Sequence, residues 1–268
     1  MKFQIDHDLH IHSGLSLCSN DPQQNPEAIL NYARSNGLRT VCIADHYWDE
    51  SIPGASGWYA MQNTAHITAA LPLPQAEGID FLFGCETEWD RFNTLAIGRE
   101  MMEKLDFIVV PLTHFHMKGY TLFDGQRESA QTLAKAWLDR LDIFLSRDLP
   151  FHKMGLAHLT TYGIDIDSWE NYIAALNCIP QAELERVMRR AAKAGVGIEL
   201  NACDMKCSDA DLEAVLRIYR AAKTAGCKFY LGSDAHHPEE FGGVSAYFAL
   251  AIDTLGLTED DKLPIVRL

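Results

Sequence analysis

Four short segments carry the side chains best suited to gripping a cation: Asp8-Leu9-His10-Ile11-His12, Asp45-His46, Gly84-Cys85-Glu86 and Gly232-Ser233-Asp234-Ala235-His236. Each sits at the end of an apolar run that reads as a β-strand. Side chains alternate between the two faces of a strand, so His10 and His12 point the same way and can close on one ion. Neutral imidazole and carboxylate are the ligands that Zn²⁺, Mn²⁺ and Fe²⁺ accept. One His-x-His pair arises readily by chance. Four strand ends of matching chemistry point to a metal site.

The elements that must position these groups recur as a short apolar run followed by a helical pattern. The runs are Phe3–Asp8, Thr40–Ala44, Asp80–Cys85, Phe107–Leu112, Met154–Ala157, Gly197–Leu200 and Lys228–Leu231. Helical spacing follows in Pro26–Arg34, which has proline in its first turn and stops at Gly37, and in 127–147, Gln181–Ala194 and Asp209–Ala225. Gly195 and Gly226 end the last two. About seven βα units predict parallel strands with right-handed crossovers. Every candidate lies at a strand's C-terminal end and nearly every strand supplies one, which favours a closed or nearly closed barrel over an open sheet. The expected architecture is an α/β chain forming one domain over residues 1–268. The connections 47–79 and 115–126 are long enough to be lids over the active face.

Composition narrows the partners. The chain has 268 residues, 47% of them apolar, and a formal net charge of −14 without any basic run, which disfavours long nucleic acid. A small phosphorylated molecule stays compatible, because bound cations reverse the local field of an acidic protein. No apolar stretch reaches the length of a membrane span, and the N-terminal residues lack the apolar core of a signal peptide. The seven cysteines (18, 42, 85, 178, 203, 207, 227) are scattered and odd in number, as expected of a reduced, cytoplasmic protein.

Taken in order, Asp8-Leu9-His10-Ile11-His12-Ser13, Ala44-Asp45-His46, Gly84-Cys85-Glu86, Thr113-His114-Phe115, Leu156-Ala157-His158 and Gly232-Ser233-Asp234-Ala235-His236 resemble the PHP (polymerase and histidinol phosphatase) family of metal-dependent phosphoesterases. The resemblance implies a distorted (β/α)7 TIM-like barrel holding two or three divalent ions. Carried over by position, one ion takes His10, His12, Glu86 and Asp234. A second takes His114 and His158 and shares Glu86, and a third takes His46 and His236. Glu86, Asp234 and His236 are the residues on which the resemblance places catalysis.

The chain departs from the family pattern at position 18, where a Cys stands in place of the usual His or Asp. Cys18 could ligate a soft metal as thiolate, or Asp21 could reach the third site instead. Two ions roughly 3.5–4 Å apart can clamp the attacking and leaving oxygens of a phosphate and generate the nucleophile from bound water. No separate nucleophile motif is then required, and neither G-x-S-x-G nor a Gly-rich phosphate loop is present.

Candidate substrate contacts are Arg91, Lys118, His116, His237 and Glu199, the last able instead to orient an imidazole. Asp8 reads either as such an orienting acceptor or as a loop cap. The histidinol-phosphatase-like segments favour a phosphate monoester. The alternatives are a phosphodiesterase acting on nucleotides or short oligonucleotides and a non-catalytic metal-binding regulatory domain.

Overall fold

The structure, a computed structural model, describes residues 1–117, 119–160 and 169–265. The apolar runs form parallel strands β1 (His7–Ile11), β2 (Thr40–Ile43), β3 (His46–Tyr47), β4 (Asp80–Thr87), β5 (Phe107–Pro111), β6 (Met154–Ala157), β7 (Gly197–Asn201) and β8 (Lys228–Gly232). The hydrogen-bonded order is β1-β2-β4-β5-β6-β7-β8, with β3 pairing β4 beyond the end of β2. Strands β2 and β3 therefore share one lane, broken at Ala44-Asp45, and this break seats His46 opposite Glu86.

Backbone and side chains together close the seam between β1 and β8. Asp234 N donates to His10 O at 2.8 Å and His12 N to Ala235 O at 3.0 Å. Lower down, Leu231 N donates to His7 Nε2 and Ser233 N to the Asp8 carboxylate. The result is the distorted seven-stranded barrel that the βα repeat predicts.

The first strand is shifted from its expected span. Phe3-Gln4-Ile5-Asp6 lies outside β1, and buried Phe3 joins the core while its N–H reaches Leu257 O. The strand instead runs through the ligand segment, so His10 is a strand residue and not a loop residue. Glu86 likewise lies inside β4. The polar ligands are as buried as the apolar residues between them, so the strand continues where hydropathy suggests it stops.

Helices α1 (Pro26–Asn36), α2 (Gly57–Ala60), α3 (Thr64–Ile67), α4 (Arg99–Lys104), α5 (Ala130–Phe144), α6 (Trp169–Cys178), α7 (Gln181–Ala194), α8 (Asp209–Ala225) and α9 (Val244–Leu255) complete the described elements. Asn25 caps α1, with Pro26 in its first turn and Gly37 left-handed after it. Helix α7 buries Leu184, Val187, Met188 and Ala191, a single stripe at helical spacing. Helix α5 begins three residues later than expected, because Ser129 accepts from Thr132 N and caps it there. The 47–79 connection is not structureless: it carries α2 and α3.

Inside the barrel, Leu9, Cys42, Ala44, Leu82, Phe107, Val109, Ala157 and Tyr230 form one apolar plug. A larger core lies between the outer strand faces and the helices. Among the described residues no helix is long and apolar enough to cross a membrane.

Candidate metal centre

At the C-terminal mouth of the barrel the imidazoles converge, and their hydrogen bonds fix which nitrogen of each is free. His10 Nδ1 lies 2.7 Å from Glu199 Oε1, a carboxylate that can only accept, so its proton sits on Nδ1. His12 Nδ1 lies 2.8 Å from Ser16 Oγ, whose own proton goes to Asp45 at 2.6 Å. The Nε2 atoms of both rings are thereby left as lone pairs, and they face each other at 3.1 Å. His114 Nδ1 is held by Glu88 at 2.9 Å and His236 Nδ1 by the Asp234 carbonyl at 2.7 Å. Four Nε2 lone pairs turn inward, an arrangement that repels itself unless a cation sits among them.

Two carboxylates stand between the rings, Glu86 buried and Asp234 partly exposed. Glu86 Oε2 lies 3.7, 3.4 and 3.0 Å from His10, His12 and His46, while its Oε1 lies 3.4 Å from both His114 and His158. Asp234 divides in the same way, Oδ1 toward His10 and His12 (3.4 and 3.2 Å) and Oδ2 toward His158 (3.3 Å). The 3.0 Å approach of His46 Nδ1 to Glu86 lacks hydrogen-bond alignment, leaving that nitrogen, Glu86 Oε1 and His158 Nδ1 buried without a hydrogen-bond partner.

The field at this point calls for positive charge. Burial disfavours a charged His10, yet Asp234, Glu199 and Glu86 around it raise its pKa well above the ordinary value. Burial opposes His158 too, but Asp234 and Glu86 lift it to about 9. Burial pushes the Glu86 and Asp234 carboxyls up, and the surrounding imidazoles more than reverse this, holding both well below the usual carboxylate range. Three overlapping sets place their ligand atoms within 4.8 Å of one another: His12, Cys18, His46 and His236; His10, His12 and Asp234; His10, Glu86 and His158. The donor chemistry fits divalent metal ions.

Local backbone geometry aims two of these ligands. His158 and Asp234 sit in the left-handed region (φ 45° and 56°), a conformation non-glycine residues adopt at a cost that the surrounding packing must offset. Gly232 must lack a side chain, since a Cβ there would stand 2.1 Å from Glu199 Oε1 and 2.9 Å from His10 Cβ. Arg140 of α5 is buried and donates to the carbonyls of Leu112, Asp90, Thr121 and Trp89, tying the connections after β4 and β5 together.

Several supporting residues went unassigned in the sequence. Glu88, just past the end of β4, accepts from Tyr59 OH at 2.7 Å and holds His114, and its two-residue spacing from Glu86 was the available signal. Asp45, expected from the sequence among the cation-gripping side chains, instead accepts from Ser13 N, Ser13 Oγ and Ser16 Oγ, a grouping that no local pattern reveals.

The expected substrate contacts have different surroundings. Both oxygens of fully buried Glu199 are engaged, by His10 on one side and by His158 N and Asn201 on the other, which is the orienting arrangement of the two considered. Asp8 accepts from Tyr32 OH and from the N–H groups of Ser233 and His10, so it caps the β1–β8 seam. His116 packs edge-on to His114, and burial together with neighbouring His114 and His158 pushes its pKa down to about 3. Asp21 pairs with His237 at 3.1 Å on the rim, whereas Cys18 is the residue that joins the third cluster. Arg91 stacks over Phe92 and Phe123. Lys118 lies outside the described residues.

Residues 8–203 match the PHP domain family. The chain belongs to the PHP domain family. The matched stretch ends before β8, and the fold brings His12, inside that stretch, against Asp234 and His236 beyond it. A "Probable phosphatase" of Caldicellulosiruptor bescii is 21% identical over 239 residues, covering 89% of this chain and 82% of that one. A solved histidinol phosphate phosphatase of Lactococcus lactis subsp. lactis Il1403, complexed with zinc, L-histidinol and phosphate, is 15% identical, with a TM-score of 0.59 over 97% of this chain and 98% of that one. That structure is similar to this chain in fold. With its family and its ligand clusters established, this chain is a metal-dependent phosphoesterase that uses divalent ions.

Proposed function

We propose that the chain hydrolyses a small phosphate monoester with two or three divalent ions (Zn, Mn or Fe) held by His10, His12, His46, Glu86, His114, His158, Asp234 and His236. One observation carries the reading: Glu86 and Asp234 each split their two carboxylate oxygens between separate imidazole sets, the geometry of bridging ligands. When bound, the ions supply Lewis acidity toward phosphoryl oxygens and a nucleophile from water at neutral pH. Glu86 and Asp234 fix the separation of the two sets, while Glu199 and Glu88 keep a proton on Nδ1 of His10 and His114 so that each Nε2 stays a lone pair. Trp58 stands edge-on to His46 at 5.1 Å and walls the mouth against water beside a ring-bearing leaving group. His116, His237, Arg91 and Lys118 are the residues we assign to the substrate side.

Histidinol phosphate is one candidate substrate, since the Lactococcus protein was solved with L-histidinol and phosphate. The charge of −14 supports a compact substrate over a polyanion. A reducing cytoplasm suits seven unpaired thiols. The deciding experiment measures bound metal and compares p-nitrophenyl phosphate, its bis ester, histidinol phosphate, mononucleotides and an oligonucleotide. Monoesters should be cleaved fastest, with activity lost in Glu86→Gln and on chelation. Faster cleavage of the bis ester or the oligonucleotide makes the enzyme a phosphodiesterase instead.

A further inference from the structure

The turn that follows β1 is sewn to the metal centre by three serines spaced three residues apart. Ser13 Oγ donates to Asp45 at 2.7 Å, Ser16 Oγ to Asp45 at 2.6 Å, and Ser19 Oγ to the His236 carbonyl at 2.6 Å. Successive turn bonds, Ser16 N to Ser13 O and Ser19 N to Ser16 O, keep the three hydroxyls in step. Cys18 lies within this sewn segment, and its Sγ falls within 4.8 Å of ligand atoms of His12, His46 and His236. Around one zinc, Zn–S near 2.3 Å and Zn–N near 2.0–2.1 Å place tetrahedral neighbours roughly 3.3–3.6 Å apart, within reach of this cluster. A second observation concerns a member of the same cluster: His46 is buried, and its Nδ1, 3.0 Å from Glu86 Oε2, makes no hydrogen bond.

Resting on the metal-dependent reading above, we infer that Cys18 makes the third cluster a thiophilic site, selecting a zinc-like ion over manganese through a thiolate ligand. His12 Nε2 is already close to His10, Asp234 and Glu86, so it serves the first ion. Cys18, His46 and His236 remain as three ligands with an open fourth position, the arrangement of catalytic zinc sites. Hard, oxygen-preferring ions gain little from sulfur, whereas zinc and cobalt do. On ligation the S–H proton leaves to solvent as the metal–sulfur bond forms, so one proton is released per ion bound there.

The test is cobalt titration of the full chain followed by absorption spectroscopy, with Cys18→Ser, Cys18→Asp and the control Cys203→Ser. Wild type and Cys203→Ser should show a near-ultraviolet thiolate-to-cobalt charge-transfer band, and Cys18→Ser should lose it. Zinc affinity at one site per chain should fall in Cys18→Ser by at least the roughly 10–100-fold that losing an outer partner of a ligand costs. In Cys18→Asp the zinc-over-manganese preference at that site should shrink by at least tenfold. A band that persists in Cys18→Ser, or cobalt bound to wild type without such a band, overturns the inference and leaves the phosphoesterase reading standing. No ion bound to any cluster overturns both.

Discussion

Glu88 shows how far a residue that touches no ion can govern one that does. Its carboxylate accepts from Tyr59 OH and from His114 Nδ1, and it is wholly buried. Glu88→Gln keeps the shape but removes the charge that pins the His114 proton to Nδ1. Metal affinity or kcat/KM should fall about 10–100-fold, as outer-partner losses do, with the fold retained. Activity measured against metal concentration checks this, and an unchanged titration curve would show that His114 needs no such anchor. Tyr59→Phe, which leaves the Glu88 carboxylate in place, should cost less.

The ends of strands impose a different constraint, because there the backbone itself comes close to the ligands. Gly232 at the end of β8 lies against Glu199 and His10, so Gly232→Ala must push the Glu199 carboxylate off His10. Gly195, left-handed after α7 (φ 79°), has open space around it. Gly195→Ala should therefore cost about 1–2 kcal/mol of stability from its backbone conformation alone, leaving kcat untouched. Gly232→Ala should lose most activity at any temperature where it remains folded. Urea midpoints paired with kcat for the two variants separate these outcomes, and equal activity losses would contradict the argument. The same close approach explains why glycine, and not a small polar residue, stands just before Ser233-Asp234.

Across the whole molecule, stability depends on what the centre binds and on pH. An ion held at 100 times its Kd stabilises the folded state by about 2.7 kcal/mol, provided the unfolded chain does not bind it. A chelator should therefore lower Tm by roughly 5–10 °C at this chain length, and restoring the ion should recover it; calorimetry with and without chelator is the check. Far from the mouth, Asp6 at the base of the barrel is paired with His7 and Lys262. Burial disfavours its ionised form, but those two partners outweigh this and hold its pKa at about 2. The folded state thus binds this proton less readily than the unfolded chain, whose aspartates titrate near 3.9. The contribution is fully present above about pH 4 and fades as pH falls toward 2. Asp6→Asn should lower the urea midpoint at pH 5, and its difference from wild type should shrink between pH 4 and 2. A difference that grows on acidification would reverse the sign of this account.

The sequence by itself determined the barrel and the imidazole and carboxylate side chains that gather at its mouth. Alternation along β1, apolar runs long enough only for buried strands, and glycines closing α1, α7 and α8 are local signals, each readable within a few residues. Helices α4, α6 and α9 escaped that reading, and α9 is apolar around much of its surface, so it shows little amphipathic contrast. The tertiary structure alone decided which groups serve the ligands. Glu199 meets His10 across 189 residues, Asp45 meets Ser13 and Ser16 across about 30, and Cys18 rather than Asp21 reaches His46 and His236. Such pairings arise only when the barrel closes and β8 lies beside β1, because hydrogen-bond partners are chosen by proximity in space and carry no spacing in the chain. The nitrogen each imidazole leaves free, and with it the chemistry of the centre, follows from those long-range partners.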